Sequence, residues 1–119
     1  MDIVIIAKEI EKKIGELEKA KKFLKERSDK KAVTSSDYDR VLAITILKLR
    51  NGTIEEWEGE KLENLPATVL EKVAKGICFV ERLEMDKAEA DYKSLLSYVS
   101  TTESQLNGYQ SINRHLQDH

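Results

Sequence analysis

Two long stretches of this chain repeat apolar residues at alternating steps of three and four, and that spacing limits the fold more than any other feature. In the first stretch, one heptad position holds Ile3, Ile10, Leu17 and Leu24. The position four residues later in each heptad holds Ala7, Ile14 and Lys21. Such 4-3 spacing gives a helix a narrow apolar stripe, and a helix of this kind pairs side by side with another helix.

The first stretch has no obvious end before Asn51-Gly52. Counting on from Leu24 in the same register reaches Tyr38, Leu42 and Leu49, and no Gly or Pro interrupts the segment. Against continuity, the run Thr34-Ser35-Ser36-Asp37 is typical of a helix N-cap. The sequence therefore leaves two interpretations open: one helix over residues 2–50, or two helices joined within residues 28–36.

After Asn51-Gly52, which favours the left-handed end of a helix, the pattern changes. Residues 51–65 are acidic and weakly periodic, and we interpret them as the connection at the tip of a hairpin, holding at most one short helical turn. Pro66 suits a first helical turn, so we predict an amphipathic helix over residues 66–83. Its apolar residues recur at steps of three and four and are Val69, Leu70, Val73, Ile77, Val80 and Leu83. Gly76, inside that helix, indicates a kink or a close helix–helix approach.

The second heptad stretch is predicted to be a helix over residues 84–117. Two seams far apart in the chain indicate an all-α fold, an elongated antiparallel helical hairpin or coiled-coil-like small bundle, forming a single helical domain over residues 1–119. So thin a core also favours self-association. The predicted helix-pairing seam consists of Ile3, Ile10, Ile14, Leu17, Leu24, Tyr38, Leu42, Leu49, Tyr92, Leu95, Val99, Leu106, Tyr109 and Leu116.

Charge is distributed unevenly although the net charge is only −2. Residues 53–91 carry eleven acids against five bases. Residues 19–31 hold two acids against seven bases, which are Lys19, Lys21, Lys22, Lys25, Arg27, Lys30 and Lys31.

Three interpretations of this basic stretch are open. Glu18–Lys22 and Glu26–Lys30 have the i, i+4 spacing of ion pairs on a solvated helix face. The same bases could instead contact the phosphates of DNA or RNA, although Phe23 is the only aromatic residue nearby for base stacking. In the third interpretation, the basic stretch binds an acidic protein surface, such as residues 53–91 of another copy.

Catalytic patterns are missing from the sequence. The single Cys, Cys78, lies in an apolar run and excludes a disulfide framework, and no Gly-rich phosphate loop or Glu-x-x-His motif occurs. His115 and His119 share a helix face near the C-terminus, where we interpret them as an incidental exposed pair. We therefore expect no enzyme, no catalytic residue, no cofactor and no metal.

Membrane association is not expected either. The run Ile3–Ala7 follows an acid and has only five residues, so it does not match a signal peptide. No apolar run approaches the roughly 20 residues that span a bilayer. We predict a cytoplasmic protein whose partners are a second copy, another protein or, as the alternative, a nucleic acid.

Three stretches together spanning residues 38–116 resemble small uncharacterised helical proteins of phage and prophage gene clusters. These stretches are Tyr38-Asp39-Arg40 leading to Leu47-Lys48-Leu49-Arg50, Leu65-Pro66-Ala67-Thr68 leading to Ala74-Lys75-Gly76, and Ala88-Glu89-Ala90-Asp91-Tyr92-Lys93-Ser94 leading to Leu106-Asn107-Gly108-Tyr109-Gln110-Ser111-Ile112-Asn113-Arg114. The resemblance implies a long helical protein of a mobile element, located in the host cytoplasm and involved near DNA metabolism or particle assembly. It implies no catalytic residue.

Overall fold

The computed structural model describes residues 2–118. The predicted all-α helical-hairpin class is confirmed: helices form most of the described chain, and the strands are only two residues long. The elements in chain order are α1 (Ile3–Arg50), β1 (Glu56–Trp57), β2 (Glu60–Lys61), α2 (Ala67–Ile77) and α3 (Phe79–Gln117).

Helix α1 runs without a break through residues 28–36. At its start, a side-chain oxygen of Asp2 accepts a hydrogen bond from the backbone N–H of Val4, 3.2 Å away, as an N-cap residue does. The Thr34 hydroxyl does not cap a second helix. It donates to the carbonyl oxygens of Lys30 and Lys31 at 2.9 and 3.2 Å, which satisfies the side chain inside a continuous helix.

The connection after α1 contains a β-hairpin rather than a helical turn. Glu56 pairs with Lys61 and Trp57 with Glu60. Both residues between the strands have positive φ, 52° at Glu58 and 80° at Gly59, which is the backbone of the two-residue turn that suits strand twist best. This hairpin places Trp57 against α2.

Trp57 packs directly on Gly76. A Cβ added at Gly76 would lie 2.5 Å from Cη2 and 2.9 Å from Cζ2 of the indole ring. The predicted close approach at this glycine therefore involves an aromatic side chain of the tip rather than another helix.

The interruption of the second helical segment lies at Cys78, not between residues 83 and 84. Cys78 has φ −90° and ψ 24° and separates α2 from α3. Because the helix restarts at Phe79, the apolar spacing that assigned Val80 and Leu83 to one stripe with α2 does not hold. Both side chains are exposed, by 51% and 48%.

The described chain divides into two compact units, to each of which α1 and α3 contribute. Unit 1 consists of Met1–Asp29 with Ala90–His119, and unit 2 of Lys30–Glu89. In unit 1 the buried residues are Ile6, Leu17, Ala20, Leu95 and Thr102. The predicted seam residues that are buried or half-buried there are Ile10, Leu17, Leu24, Tyr92, Leu95, Val99, Leu106, Tyr109 and Leu116.

Two predicted seam residues of unit 1 lie outside its core. Ile3 and Ile14 are each 41% exposed. The second buried line of α1 runs through Ile6, half-buried Lys13 and Ala20, one residue earlier than the predicted line. The ammonium group of Lys13 lies 3.4 Å from the Glu16 carboxylate, which gives this partly buried charge a partner.

The core of unit 2 contains small and polar side chains. Its buried residues are Tyr38, Thr45, Leu49, Ala74, Cys78 and Ala88, and the predicted seam residue Leu42 is half-buried. Thr45 Oγ1 lies 3.3 Å from Cys78 Sγ and 2.8 Å from the Val41 carbonyl oxygen. The Thr45 hydroxyl donates to Val41, and its contact with the thiol gives the buried Cys78 a polar partner.

Candidate interaction surfaces

Helix α1 carries the basic stretch of residues 19–31 on several sides. All seven bases are exposed except Lys31, which is half-buried. Lys19 and Lys30 are separated by about three helical turns and share one side, whereas Lys21 and Lys25 share the other. A straight nucleic-acid backbone could therefore meet only part of this set at one time.

Two of the seven bases have partners inside the chain. Nη1 of Arg27 donates a long hydrogen bond, 3.4 Å, to the carbonyl oxygen of Asp91 and so links α1 to α3 within unit 1. Lys31 also has a partner. The expected pairs Glu18–Lys22 and Glu26–Lys30 are not among the ion pairs of residues 2–118, so the solvated face is not stabilised in that way.

A surface groove in unit 1, here called the Phe23 groove, lies beside the basic stretch. It is lined by Glu16, Lys19, Ala20, Phe23, Leu95 and Tyr98. Ala20 and Leu95 are buried, whereas the two rings remain 49% exposed at Phe23 and 45% at Tyr98. This groove therefore presents apolar area to solvent above a closed floor.

Unit 2 has a groove of opposite charge, here called the Val80 groove. It is lined by Thr34, Asp37, Val80, Glu81 and Glu84. Three of these five side chains are carboxylates and none is basic, while Val80 is half-exposed. The Val80 groove is thus apolar at one point and acidic around it.

A third exposed surface of unit 2 surrounds Phe79 and Leu83, which are 64% and 48% exposed. Its charged neighbours are already paired: Arg82 Nε lies 3.8 Å from an Asp86 oxygen, and Lys75 lies 3.4 Å from Glu71. Because these charges already have partners, this surface can select a charged partner less strongly than the Val80 groove can.

Tyr38 has a buried hydroxyl without a hydrogen-bond partner among residues 2–118, and the residue is only 6% exposed. An unsatisfied buried polar group costs about 1–3 kcal/mol. We therefore expect Tyr38→Phe to raise the free energy of unfolding by about 1 kcal/mol, measured by urea denaturation. Tyr98→Phe, at a ring that is 45% exposed, is the matched control and should leave stability unchanged when both variants are measured in the same oligomeric state. A loss of stability in Tyr38→Phe would mean that the hydroxyl has a partner.

Cys78 and His115, two side chains that could take part in chemistry, both have partners within the chain. Cys78 is buried and its thiol bonds to Thr45. His115 has a partner within the chain, and His119 lies outside the described residues. In the described part of the chain, no group of three or more His, Cys, Asp or Glu side chains could hold a metal ion.

The sequence pointed to the basic stretch but missed both grooves. In the sequence, Phe23 is only a lone aromatic residue among lysines, and the apolar spacing places Val80 in an amphipathic stripe. The only signal for the Val80 groove was the acidic bias of residues 53–91. Asp37, the remaining acid of this groove, belongs to α1, and only the folded structure shows that it lies beside Val80 of α3.

Comparison with known proteins assigns no family to these surfaces. A scan against protein-family models, a search of curated proteins and a search of solved structures each gave no match for the chain. Among residues 2–118, no helix combines the length and apolarity needed to cross a bilayer.

Proposed function

We propose that this chain is a non-enzymatic interaction protein that works as a scaffold by pairing its helical surfaces with a second copy. One observation carries the proposal. Among the described residues, fifteen large apolar side chains are 39–64% exposed, whereas the buried apolar set has nine members and three of them are alanines. Where exposed apolar side chains lie together, as Phe23 and Tyr98 do in the Phe23 groove, they commonly mark a protein–protein contact.

The exposed apolar residues occur in both units. Phe23 and Tyr98 lie in unit 1, and Phe79, Val80 and Leu83 lie in unit 2. Packing against a second copy would remove these side chains from water, and each Å² of apolar area buried in this way stabilises the complex by about 25 cal/mol. The resemblance to helical proteins of phage and prophage gene clusters supports a structural role in a mobile element, with another protein as a further partner.

Sedimentation equilibrium over a range of loading concentrations tests this proposal. We expect the mass to rise above the 13.6 kDa of one chain as concentration increases. The thermal midpoint should rise with concentration as well, because association stabilises the folded state by mass action. A mass that remains at one chain up to the solubility limit would contradict the proposal.

Nucleic-acid binding is the second candidate. The observation that favours it is the set of basic side chains that are exposed and make no ion pair with other residues of 2–118: Lys19, Lys21, Lys22, Lys25 and Lys30. These ammonium groups are available to phosphates. Their distribution over opposite sides of α1 is the reason to rank this function below self-association.

A fluorescence titration with single- and double-stranded DNA at two salt concentrations measures this second candidate. If Lys21, Lys22 and Lys25 each contact a phosphate of double-stranded DNA, a rise in salt from about 50 to about 200 mM should lower the affinity about 40-fold. Reversal of these three lysines to Glu should abolish binding. The control, with the same charge change, reverses the exposed Lys8, Lys12 and Lys87. Absence of binding at low salt would eliminate a nucleic-acid function.

A further inference from the structure

The Phe23 groove offers a docking partner two exposed aromatic rings and one available cation. Its acidic residue, Glu16, already lies 3.4 Å from Lys13. Lys19, on the rim, is exposed and makes no ion pair with another residue of 2–118. A partner that fits this groove should therefore present an apolar side chain beside a carboxylate.

The Val80 groove has those features. Val80 supplies exposed apolar area, and Asp37, Glu81 and Glu84 surround it without a basic lining residue. None of the three carboxylates belongs to an ion pair in the described part of the chain. Carboxylates held near one another repel, and a cation brought between them relieves that repulsion.

We propose that a second copy docks its Val80 groove onto the Phe23 groove, with Lys19 of one chain beside Glu84 of the other. This inference rests on the self-association proposed above and names the surfaces that carry it. Glu84 is exposed and lies one helical turn after Val80 on α3, whereas Glu81 is half-buried and Asp37 belongs to α1. The apolar contact of Phe23 and Tyr98 with Val80 supplies attraction, and the opposite charges select the partner surface.

In a pair with a twofold axis, the contact between the two grooves would occur twice. Each chain carries both grooves, so in a symmetric pair each Lys19 meets the other chain's Glu84. Reversal of one charge in every chain then creates two like-charge contacts in the pair. Reversal of both charges, or mixing of the two single variants, restores two attractive contacts.

The test compares Lys19→Glu, Glu84→Lys, their equimolar mixture and Lys25→Glu by sedimentation equilibrium, with circular dichroism to verify helix content. Like charges brought together at an interface are costly, so we expect each groove variant alone to raise the Kd of self-association at least about tenfold. The mixture should associate about as well as the native chain. Lys25→Glu, in the same basic stretch but outside the groove, should behave as the native chain does.

Other results overturn the inference. If the native chain associates and Lys19→Glu associates equally well, another surface forms the contact, although the proposed function stands. If both single variants are weakened and their mixture is not restored, Lys19 and Glu84 do not meet. If the native chain is a monomer at all concentrations, the proposed function fails and this docking mode fails with it.

Discussion

Replacement of Leu17 by Ala should lower the free energy of unfolding by about 2–5 kcal/mol, because truncation of a buried leucine loses apolar contacts and leaves a cavity. Leu17 is 7% exposed, in the core of unit 1. Urea denaturation followed by circular dichroism measures the change.

The matched control for this prediction is Ile14→Ala. Ile14 lies one helical turn earlier on α1 and is 41% exposed, so its replacement should cost less than about 1 kcal/mol. Both variants should be measured at a concentration that gives the same oligomeric state. Equal losses at the two positions would place Ile14 in the core and contradict the packing of unit 1 described above.

The second large effect is expected at Gly76. A Cβ there would overlap the ring of Trp57 at 2.5 Å, and overpacking of this kind costs about 1–3 kcal/mol. We therefore expect Gly76→Ala to destabilise the protein even though Ala is the better helix former. Because Trp57 is the only tryptophan, displacement of its ring should also shift the fluorescence emission.

Gly15→Ala is the control for Gly76→Ala. Gly15 is also inside a helix, but nothing lies within 4 Å of its added Cβ. This substitution should gain up to about 1 kcal/mol from helix propensity alone. If both alanine variants gain stability, Trp57 does not pack on Gly76 and the described attachment of the tip to α2 is wrong.

In unit 1, the apolar content of the sequence does not decide which side of α1 is buried. The line four residues after the Ile3 heptad position holds Ala7, Ile14 and Lys21, while the line three residues after it holds Ile6, Lys13 and Ala20. Each line contains one Ala, one Ile and one Lys, so apolar content could not distinguish them. The structure buries the second line, in which Lys13 has Glu16 as a partner and small Ala20 forms the groove floor.

Helix continuity was decidable only in part. The heptad register favoured an unbroken α1, but a run with N-cap chemistry opposed it, and the Thr34 bonds to the preceding turn resolve the conflict. The break at Cys78 comes two residues after Gly76, where the sequence predicts a kink or a close approach. The apolar spacing adds no signal of a break, because Val80 and Leu83 follow Ile77 at steps of three and only the structure shows that both are exposed.

Helices α1 and α3 pair in opposite directions. Within unit 1, Ala20 shares the Phe23 groove with Leu95, and Arg27 further along α1 reaches Asp91. Within unit 2, Thr45 contacts Cys78.

Nuclear Overhauser spectroscopy of methyl-labelled protein tests this pairing most directly, with a mixed-label sample to separate contacts within one chain from those between copies. We expect intrachain cross-peaks from the Ala20 methyl group to Leu95 and from the Thr45 methyl group to the β-protons of Cys78. Absence of both cross-peaks within one chain, or their presence only between copies, would contradict the hairpin.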